Sequence, residues 1–198
     1  MYKLNIFMRI GITGGIGSGK TYVCDKLVKA GFPVYSCDAE AKRLMVEDIS
    51  IIESLKGLVG EDVYDSQGAL CKERMIAFLF SDKGNTEKVN SIVHPAVKAD
   101  FLKWASLQNS DKVFMESAIL FESGFDDVVD CVVDVYAPAD VRLARAVKRD
   151  SSTSEAVSKR MASQMDDEEK KRLADYCIVN DGIEDVDTQI EKLIALLG

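Results

Sequence analysis

The residues best suited to chemistry form one short motif, Gly14-x-x-x-x-Gly19-Lys20-Thr21, which lies between an apolar run and a helical pattern. Glycines in such a turn let successive backbone N–H groups point at one anion, and the start of the following helix adds its dipole. A Lys at this position reaches the β- and γ-phosphates of a nucleotide, and the hydroxyl after it binds Mg²⁺. The motif predicts a nucleotide-phosphate site formed by Gly14, Gly15, Ile16, Gly17, Ser18, Gly19, Lys20 and Thr21.

Three classes of protein share this loop: kinases of small molecules, GTPase switches, and motor or transport ATPases. A GTPase also needs an Asp-x-x-Gly after a buried strand and an Asn-Lys-x-Asp that reads guanine. The sequence DSQG at 65–68 matches the first pattern but follows a polar stretch, which is typical of a turn, and Asn-Lys-x-Asp does not occur. A transport ATPase would need its own signature, and 198 residues is short for one. These observations favour a kinase.

Three carboxylates follow predicted strands or apolar stretches closely enough to take part in phosphoryl transfer, which needs charge neutralisation and a group that orients the attacking hydroxyl. Asp38 follows the second predicted strand, where open α/β sheets bind ligands. It is a candidate base for an alcohol, or an N-cap for a helix that starts at Ala39. Glu116 ends the stretch KVFME, in the position of a Walker-B acid, and is a candidate partner of Mg²⁺. Glu122 either contacts substrate or caps a helix.

The stretch VRLARAVKRD concentrates basic residues in a protein of net charge −8. Arg142, Arg145 and Arg149 recur at helical spacing, so they share one face of a helix. One interpretation is a solvated charged face. The other is a lid whose arginines close over the phosphates, with Arg145 and Arg149 as the phosphate-binding residues. Ser152-x-x-Glu155 then predicts a capping box at the start of the next helix.

The single histidine, His94, precedes a proline in IVHPAV. A lone histidine before proline is more typical of packing at a helix end than of catalysis. Contact with a substrate is the alternative interpretation of His94.

An alternation of strands and helices must position these residues. Five apolar stretches predict buried strands: residues 4–12, FPVYS, KVFMES, CVVDVYA and YCIVN. Residues 20–29 predict a helix. This order predicts a parallel sheet. We expect an α/β fold in one unit: a P-loop kinase core with a parallel β-sheet flanked by helices, built from residues 1–39, 109–138 and 166–198. Residues 40–108 predict a helical substrate-binding insertion, and residues 139–165 a helical lid.

The composition narrows the possible partners. A net charge of −8 argues against a sequence-independent nucleic-acid binder. No apolar run approaches the roughly 20 residues that span a bilayer, and the N-terminus lacks the features of a signal peptide. Five scattered cysteines without a C-x-x-C pair predict free thiols in a reducing compartment. We therefore expect a cytoplasmic monomer or small homo-oligomer with no nucleic-acid or membrane partner.

Seven stretches together resemble the dephospho-coenzyme A kinase family: RIGITGGIGSGKT, PVYSCDAEAKRL, IVHPAV, ESAILFESGF, VRLARAVKRD, RMASQM and ADYCIVNDG. They follow the family order from residue 9 to about residue 182. The resemblance implies ATP and Mg²⁺ as cofactors. It implies phosphorylation of the ribose 3′-hydroxyl of dephospho-coenzyme A to give coenzyme A and ADP, the last step of coenzyme A biosynthesis. It also implies that residues 40–108 bind the substrate.

The resemblance puts Asp38 on the family's catalytic carboxylate and Arg145 on an arginine that binds phosphate. Three positions depart from the family pattern, and one of them is Ala118, where the family usually has proline. Ser36 stands where the family often has a second acid, so Asp38 would work alone. Lys42 stands where the family commonly has arginine. Lysine cannot bind an anion through two parallel N–H donors as arginine does, so this bidentate contact is lost unless Arg43 supplies it. The expected substrate-binding residues are Asp38, Lys42, His94 and Glu122.

Two other functions stay open. One is another nucleotide or nucleoside kinase of similar build, and the other is a nucleotide-binding switch or module without turnover. Asp38 separates the enzymes from the module, because a binding module has no use for a base beside the γ-phosphate. Residues 1–7 precede the resemblance and are either an extension or a choice of start site.

Overall fold

The structure is a computed structural model that describes residues 7–198. In that part of the chain the strands are β1 (Met8–Thr13), β2 (Val34–Ser36), β3 (Lys112–Glu116), β4 (Cys131–Tyr136) and β5 (Tyr176–Val179). The helices of the same residues are α1 (Lys20–Lys29), α2 (Cys37–Glu47), α3 (Ile49–Val59), α4 (Lys72–Ser81), α5 (Asn85–Ser106), α6 (Ala139–Asp150), α7 (Ser154–Met161), α8 (Asp167–Leu173) and α9 (Val186–Leu196).

The five strands form one parallel sheet in the spatial order β2-β3-β1-β4-β5. This confirms the predicted parallel sheet flanked by helices. Of the first predicted strand, the described part runs from Met8 to Thr13, and residues 4–6 lie outside the described residues. Because the strands are parallel, Thr13, Ser36 and Glu116 all end their strands at the same edge of the sheet.

The chain divides into two compact units. Within the described residues, the first takes in the chain up to Ser36 together with Leu107–Gly198, and the second is Cys37–Ser106. The first unit contains the whole sheet and the helices α1 and α6–α9. The second contains α2–α5. The predicted roles of residues 40–108 as a substrate domain and 139–165 as a lid stay predictions.

A continuous apolar cluster fills the first unit between the sheet and the helices α1 and α9. Parallel strands covered by helices read as unbroken apolar runs, which explains the composition of β1 and β4. Each fully buried aliphatic or aromatic side chain stabilises the fold by about 1.5–3 kcal/mol. The fully buried members of the cluster are Ile10, Ile12, Val23, Leu27, Phe114, Val133 and Val135.

The edge strand β5 is closed at its end by a side chain. The Gln189 side chain accepts a hydrogen bond from the Val179 N–H and donates one to the Val179 carbonyl, each at 2.8 Å. The Gln189 side chain thereby makes the two hydrogen bonds that one residue of a further strand would make to β5.

The second unit has its own core, which includes the fully buried Leu55, Val63 and Phe101. Asp48 caps α3 by accepting hydrogen bonds from the N–H groups of Ser50 and Ile51, at 2.8 and 3.2 Å.

Two predicted helix starts are wrong by one or two residues. α2 begins at Cys37, so Asp38 lies inside its first turn and is not an N-cap. α7 begins at Ser154, and its N-cap is Thr153, whose hydroxyl accepts a hydrogen bond from the Ala156 N–H at 3.2 Å. The capping box expected to start at Ser152 is therefore absent.

The prediction of a helix end at His94 is also wrong. Both His94 and Pro95 lie inside the 22-residue helix α5. Burial lowers the pKa of the half-buried His94, and the nearby Lys98 lowers it further. No helix of residues 7–198 is long and apolar enough to cross a membrane.

The close contact around Gly11 generates a test of the core. A Cβ atom at Gly11 would lie 2.6 Å from Leu120 Cδ1 and 3.3 Å from Val129 Cγ2. We expect Gly11→Val to lower the free energy of unfolding in urea by about 1–3 kcal/mol, because it overpacks the sheet.

Gly57→Ala is the matched control, because a Cβ there meets no atom within 4 Å. Since Gly57 lies within a helix, its replacement is expected to raise stability by about 0.5–1 kcal/mol. Equal effects of the two substitutions would contradict the packing described for β1.

Candidate active site

The loop between β1 and α1 has backbone angles that favour glycine at three positions. Gly14, Gly17 and Gly19 have φ of 145°, 82° and 100°. A Cβ at Gly14 would overlap the Val135 carbonyl oxygen, and one at Gly19 would overlap the Asn180 amide. The loop therefore packs closely on the ends of β4 and β5, and side chains at these glycines would distort it.

Polar groups of the loop are arranged to receive an anion. Ser18 Oγ and Thr13 Oγ1 are buried and have no hydrogen-bond partner within the described part of the chain. Lys20 Nζ donates to the Gly14 carbonyl at 2.8 Å, so the ammonium lies across the loop. Gly19 is the N-cap of α1 and makes no side-chain cap, which leaves the positive end of the helix dipole directed at the loop. The residues present thus fit a nucleotide phosphate.

Arg145 reaches the loop through one intermediate residue. Its Nη1 donates to the Asn180 carbonyl at 2.8 Å, and Asn180 Nδ2 donates to the Ser18 carbonyl at 2.7 Å. Arg145 is half-buried, whereas Arg149 is exposed and pairs with Asp150 at 2.7 Å. The structure thus links Arg145 to the phosphate-binding loop of residues 14–21, the P-loop, and pairs Arg149 with Asp150. The nucleotide contact of Arg149 stays a prediction.

Arg142 contacts the loop directly, and this contact is not among those predicted from the sequence. It is buried and donates to the Ile16 carbonyl at 3.2 Å and to the carboxylate of Asp167. The Ile16 N–H in turn donates to Gln164 Oε1 at 2.9 Å. Arg142 and Gln164 stand in stretches that resemble the family, but nothing in their spacing indicated these contacts.

Glu116 lies at the sheet edge beside β2, where its Oε2 accepts a hydrogen bond from Ser36 Oγ at 3.2 Å. Thr21 is exposed in the first turn of α1. Carboxylate and hydroxyl oxygens are ligands that Mg²⁺ prefers, and nucleotide sites supply only one or two of them from protein. Thr21 and Glu116 are therefore chemically suited to the predicted magnesium ion.

Glu122 has structural partners in the first unit. Its Oε1 accepts a hydrogen bond from the Met165 N–H at 2.8 Å and lies 3.0 Å from Lys170 Nζ. Lys170 is fully buried, so this carboxylate balances a cation that burial would otherwise destabilise. Contact of Glu122 with substrate stays a prediction.

The remaining predicted residues belong to the second unit. Asp38 and Lys42 are one helical turn apart on α2, and Lys42 is exposed. Arg43 is held by carboxylates of its own unit, at 2.5 Å from Glu40, 3.0 Å from Glu47 and 2.8 Å from Asp100. These bonds raise the pKa of the Arg43 guanidinium, Glu40 most strongly. Arg43 would have to leave them to replace the family's arginine at Lys42.

A buried carboxylate on β4, Asp134, lies among charges of the P-loop and α8. The pKa of Asp134 is raised to about 6, chiefly by burial and also by the Asp167 carboxylate. The cations of Lys170, Lys20 and Arg142 act in the opposite direction. An acid within an apolar parallel strand such as VVDVY is unusual, because such strands are buried on both faces. That pattern could have marked Asp134 from the sequence.

The fold and the loop define the class of protein. A glycine-rich phosphate loop joins a strand to a helix on a parallel sheet of five strands, which is the architecture of the P-loop kinases. Shikimate kinase from Acinetobacter baumannii shares this fold, with a TM-score of 0.59 at 16% identity over 98% of this chain and 94% of that one.

Sequence comparison gives the family. The model of the family "Dephospho-CoA kinase" matches residues 8–185. The dephospho-CoA kinase of Bacteroides fragilis is 47% identical over 191 residues, which are 96% of this chain and 93% of that protein. That of Porphyromonas gingivalis is 44% identical over 172 residues, 86% and 85% of the two chains. The chain belongs to the dephospho-CoA kinase family.

Solved structures agree with this assignment. Dephospho-CoA kinase from Campylobacter jejuni has a TM-score of 0.70 at 25% identity and covers 96% of both chains. A Thermus thermophilus protein has a TM-score of 0.84 at 32% identity, over 97% of this chain and 98% of that one.

The raised pKa of Asp134 predicts how stability depends on pH. The ordinary pKa of an aspartate is 3.8, so between pH 3.8 and about 6 the folded protein keeps a proton that the unfolded chain releases. Stability from this group is complete below that window and is lost as the pH rises through it. We expect the wild type to lose roughly 2–3 kcal/mol relative to Asp134→Asn across the window.

Urea unfolding of both proteins from pH 4 to pH 8 measures the difference. Its change with pH reports the contribution of Asp134 together with its coupling to Asp167, since every carboxylate other than Asp134 is common to the two proteins. Parallel stability curves would contradict a buried, largely desolvated carboxylate at this position.

Proposed function

We propose that this protein transfers the γ-phosphoryl group of ATP to the ribose 3′-hydroxyl of dephospho-CoA, giving CoA and ADP. The observation that carries the proposal is the complete phosphate-binding loop of residues 14–21 in a chain of the dephospho-CoA kinase family. The loop supplies backbone N–H donors, an ammonium and the hydroxyl of Ser18, which has no hydrogen-bond partner among residues 7–198. This combination suits a triphosphate whose terminal group is transferred.

The chain's residues have distinct roles in this proposal. The loop amides other than that of Ile16, which donates to Gln164, hold the phosphates. Lys20 leaves the Gly14 carbonyl to neutralise charge that develops during transfer. Arg145, already anchored through Asn180, adds a second cation. Thr21 and Glu116 would hold Mg²⁺. When bound, such an ion would supply positive charge that neutralises the phosphates during transfer.

Asp38 is the proposed base for the acceptor hydroxyl. It follows Ser36, the last residue of β2, by two positions, so the two Cα atoms lie within about 7 Å of each other. The carboxyl end of β2 shares its sheet edge with the end of β1, from which the P-loop emerges. A carboxylate that follows this edge suits a group that accepts the proton of an alcohol during phosphoryl transfer.

An acceptor panel tests the substrate. We expect ADP release from ATP and Mg²⁺ to require dephospho-CoA, with little release when adenosine or AMP replaces it. Mass spectrometry of the product should show one added phosphoryl group on the ribose 3′-oxygen. Equal or faster turnover of AMP would instead support a nucleotide kinase of similar build.

The role of Asp38 is tested by Asp38→Asn, which removes the proton acceptor and keeps the size of the side chain. We expect turnover to fall by about 10²–10⁴-fold while the affinity for ATP changes little, because general bases contribute on that scale. Turnover measured with saturating substrates and ATP titration by calorimetry separate the two effects.

Two further variants serve as controls for Asp38→Asn, one expected to be inactive and one expected to be active. Lys20→Ala is expected to lose both affinity for ATP and turnover. Glu53→Gln removes an exposed carboxylate of the same unit as Asp38 and is expected to behave as the wild type. Near-normal turnover of Asp38→Asn would overturn the proposed base.

A further inference from the structure

Both backbone polar groups of Ile16 are bound by side chains from outside the P-loop. Gln164 Oε1 accepts a hydrogen bond from the Ile16 N–H at 2.9 Å, and Arg142 Nη1 donates to the Ile16 carbonyl at 3.2 Å. We call Arg142, Gln164 and Asp167, which pairs with Arg142, the Ile16 clasp. Because the two bonds fix the peptides on either side of Ile16, they also restrict the direction of the amides that follow in the loop.

Arg142 joins three parts of the first unit. Its guanidinium donates to the Ala137 carbonyl just beyond β4 at 3.1 Å, to the P-loop at Ile16, and to Asp167 in the first turn of α8. The loop packs tightly against this residue: a Cβ at Gly15 would overlap the guanidinium. The planar guanidinium of arginine carries five N–H donors, so one side chain satisfies acceptors in several directions at once.

Gln164 is held in place by the segment after β3. Its Nε2 donates to the Ala118 carbonyl at 3.4 Å, and the same oxygen accepts a bond from Lys170 Nζ at 2.9 Å. Lys170 also pairs with Glu122 at 3.0 Å. The Ala118 carbonyl thus holds Nε2 of the Gln164 amide, so that Oε1 of the same amide points at the Ile16 N–H.

The two clasp residues that touch Ile16 lie near opposite ends of the predicted lid, residues 139–165. Arg142 is in the first turn of α6, and Gln164 follows the end of α7 by three residues. Between them, α7 is tied to α6 by the ion pair of Arg160 with Asp150 at 2.7 Å. The two hydrogen bonds at Ile16 therefore connect the P-loop to both ends of this segment.

We propose that Arg142 and Gln164 are positioning residues that couple the P-loop to residues 139–165, so that nucleotide in the loop orders this segment. The clasp also holds the loop in its binding geometry before nucleotide arrives, which lowers the ordering cost of binding. The proposal rests on the proposed function only in taking ATP as the nucleotide. Coupling between two sites is reciprocal, so loss of the clasp must affect both nucleotide affinity and the segment's response.

Gln164→Met tests the clasp, because methionine has a similar length and removes both hydrogen-bonding groups. In the wild type, saturating AMP-PNP with Mg²⁺ is expected to slow amide hydrogen exchange in residues 151–163 by about tenfold, within the usual range of coupling between sites. In Gln164→Met we expect the slowing to fall below about twofold and the KM for ATP to rise about tenfold. The kcat should change much less, because saturating nucleotide itself holds the loop.

A merely structural defect gives a different result. It lowers the active fraction, which reduces the apparent kcat and leaves KM and the exchange response of the folded molecules unchanged. Arg172→Met is the matched control for arginine removal, since Arg172 lies on α8 with its side chain 72% exposed. It should keep the wild-type KM and the wild-type response to AMP-PNP.

A double variant separates the two roles of Arg142. If Arg142 only neutralised Asp167, then Arg142→Met combined with Asp167→Asn would restore the wild-type KM. The clasp requires the double variant to remain defective, because the Ile16 carbonyl still lacks its donor. Should the Arg142 variants fail to fold, Gln164→Met decides the question alone.

The outcomes distinguish this proposal from the proposed function. Amide hydrogen exchange and calorimetric titration with AMP-PNP use no acceptor. These two measurements therefore test the clasp even if dephospho-CoA is not phosphorylated. AMP-PNP that binds Gln164→Met with wild-type affinity and wild-type slowing would overturn the clasp alone. A wild-type protein that fails to bind AMP-PNP would overturn the phosphate-binding function together with the clasp's role in it.

Discussion

The structure depends most on the conformation of one short loop, in which backbone amides must converge on an anion. Gly14, Gly17 and Gly19 adopt positive φ there, and neighbouring strands leave no room for side chains at Gly14 and Gly19. The parallel sheet places the ends of its strands around this loop, so the side chains that follow several strands can act on one ligand. Much of the architecture of the first unit therefore serves to hold a few peptide groups in an arrangement that an isolated chain would rarely adopt.

Charged side chains buried beneath the loop are a second constraint. Lys170, Arg142 and Asp134 are all almost inaccessible to water. Desolvating each charge alone would be costly, but oppositely charged neighbours and backbone carbonyls offset much of that cost for Lys170 and Arg142. Asp134 is incompletely compensated, which is why its pKa lies near 6. Such a network favours one arrangement of α6, α8 and β4, because other arrangements would leave charges unpaired.

Much of the first unit could be predicted from sequence because its signals are local. Apolar runs mark β1 and β4, and the Gly-Lys-Thr ending marks the P-loop within one stretch of chain. The clasp could not be predicted in this way, since Gln164 and Ile16 are 148 positions apart and meet only through tertiary packing. The error at His94 has a related cause: Pro95 removes one helical hydrogen bond, but side chains that α5 buries along its whole length stabilise the helix through it.

The closure of β5 by Gln189 has a consequence for the behaviour of the molecule in crowded solution. An outer strand with free amide and carbonyl groups can template the addition of a foreign strand, which is a route to fibrous or amorphous precipitates. Here the last residue of that margin, Val179, has both groups already occupied. At the opposite margin β2 offers a ladder of only three residues. A sheet with one margin capped at its end and a second margin of only three residues gives an intruding chain a short template.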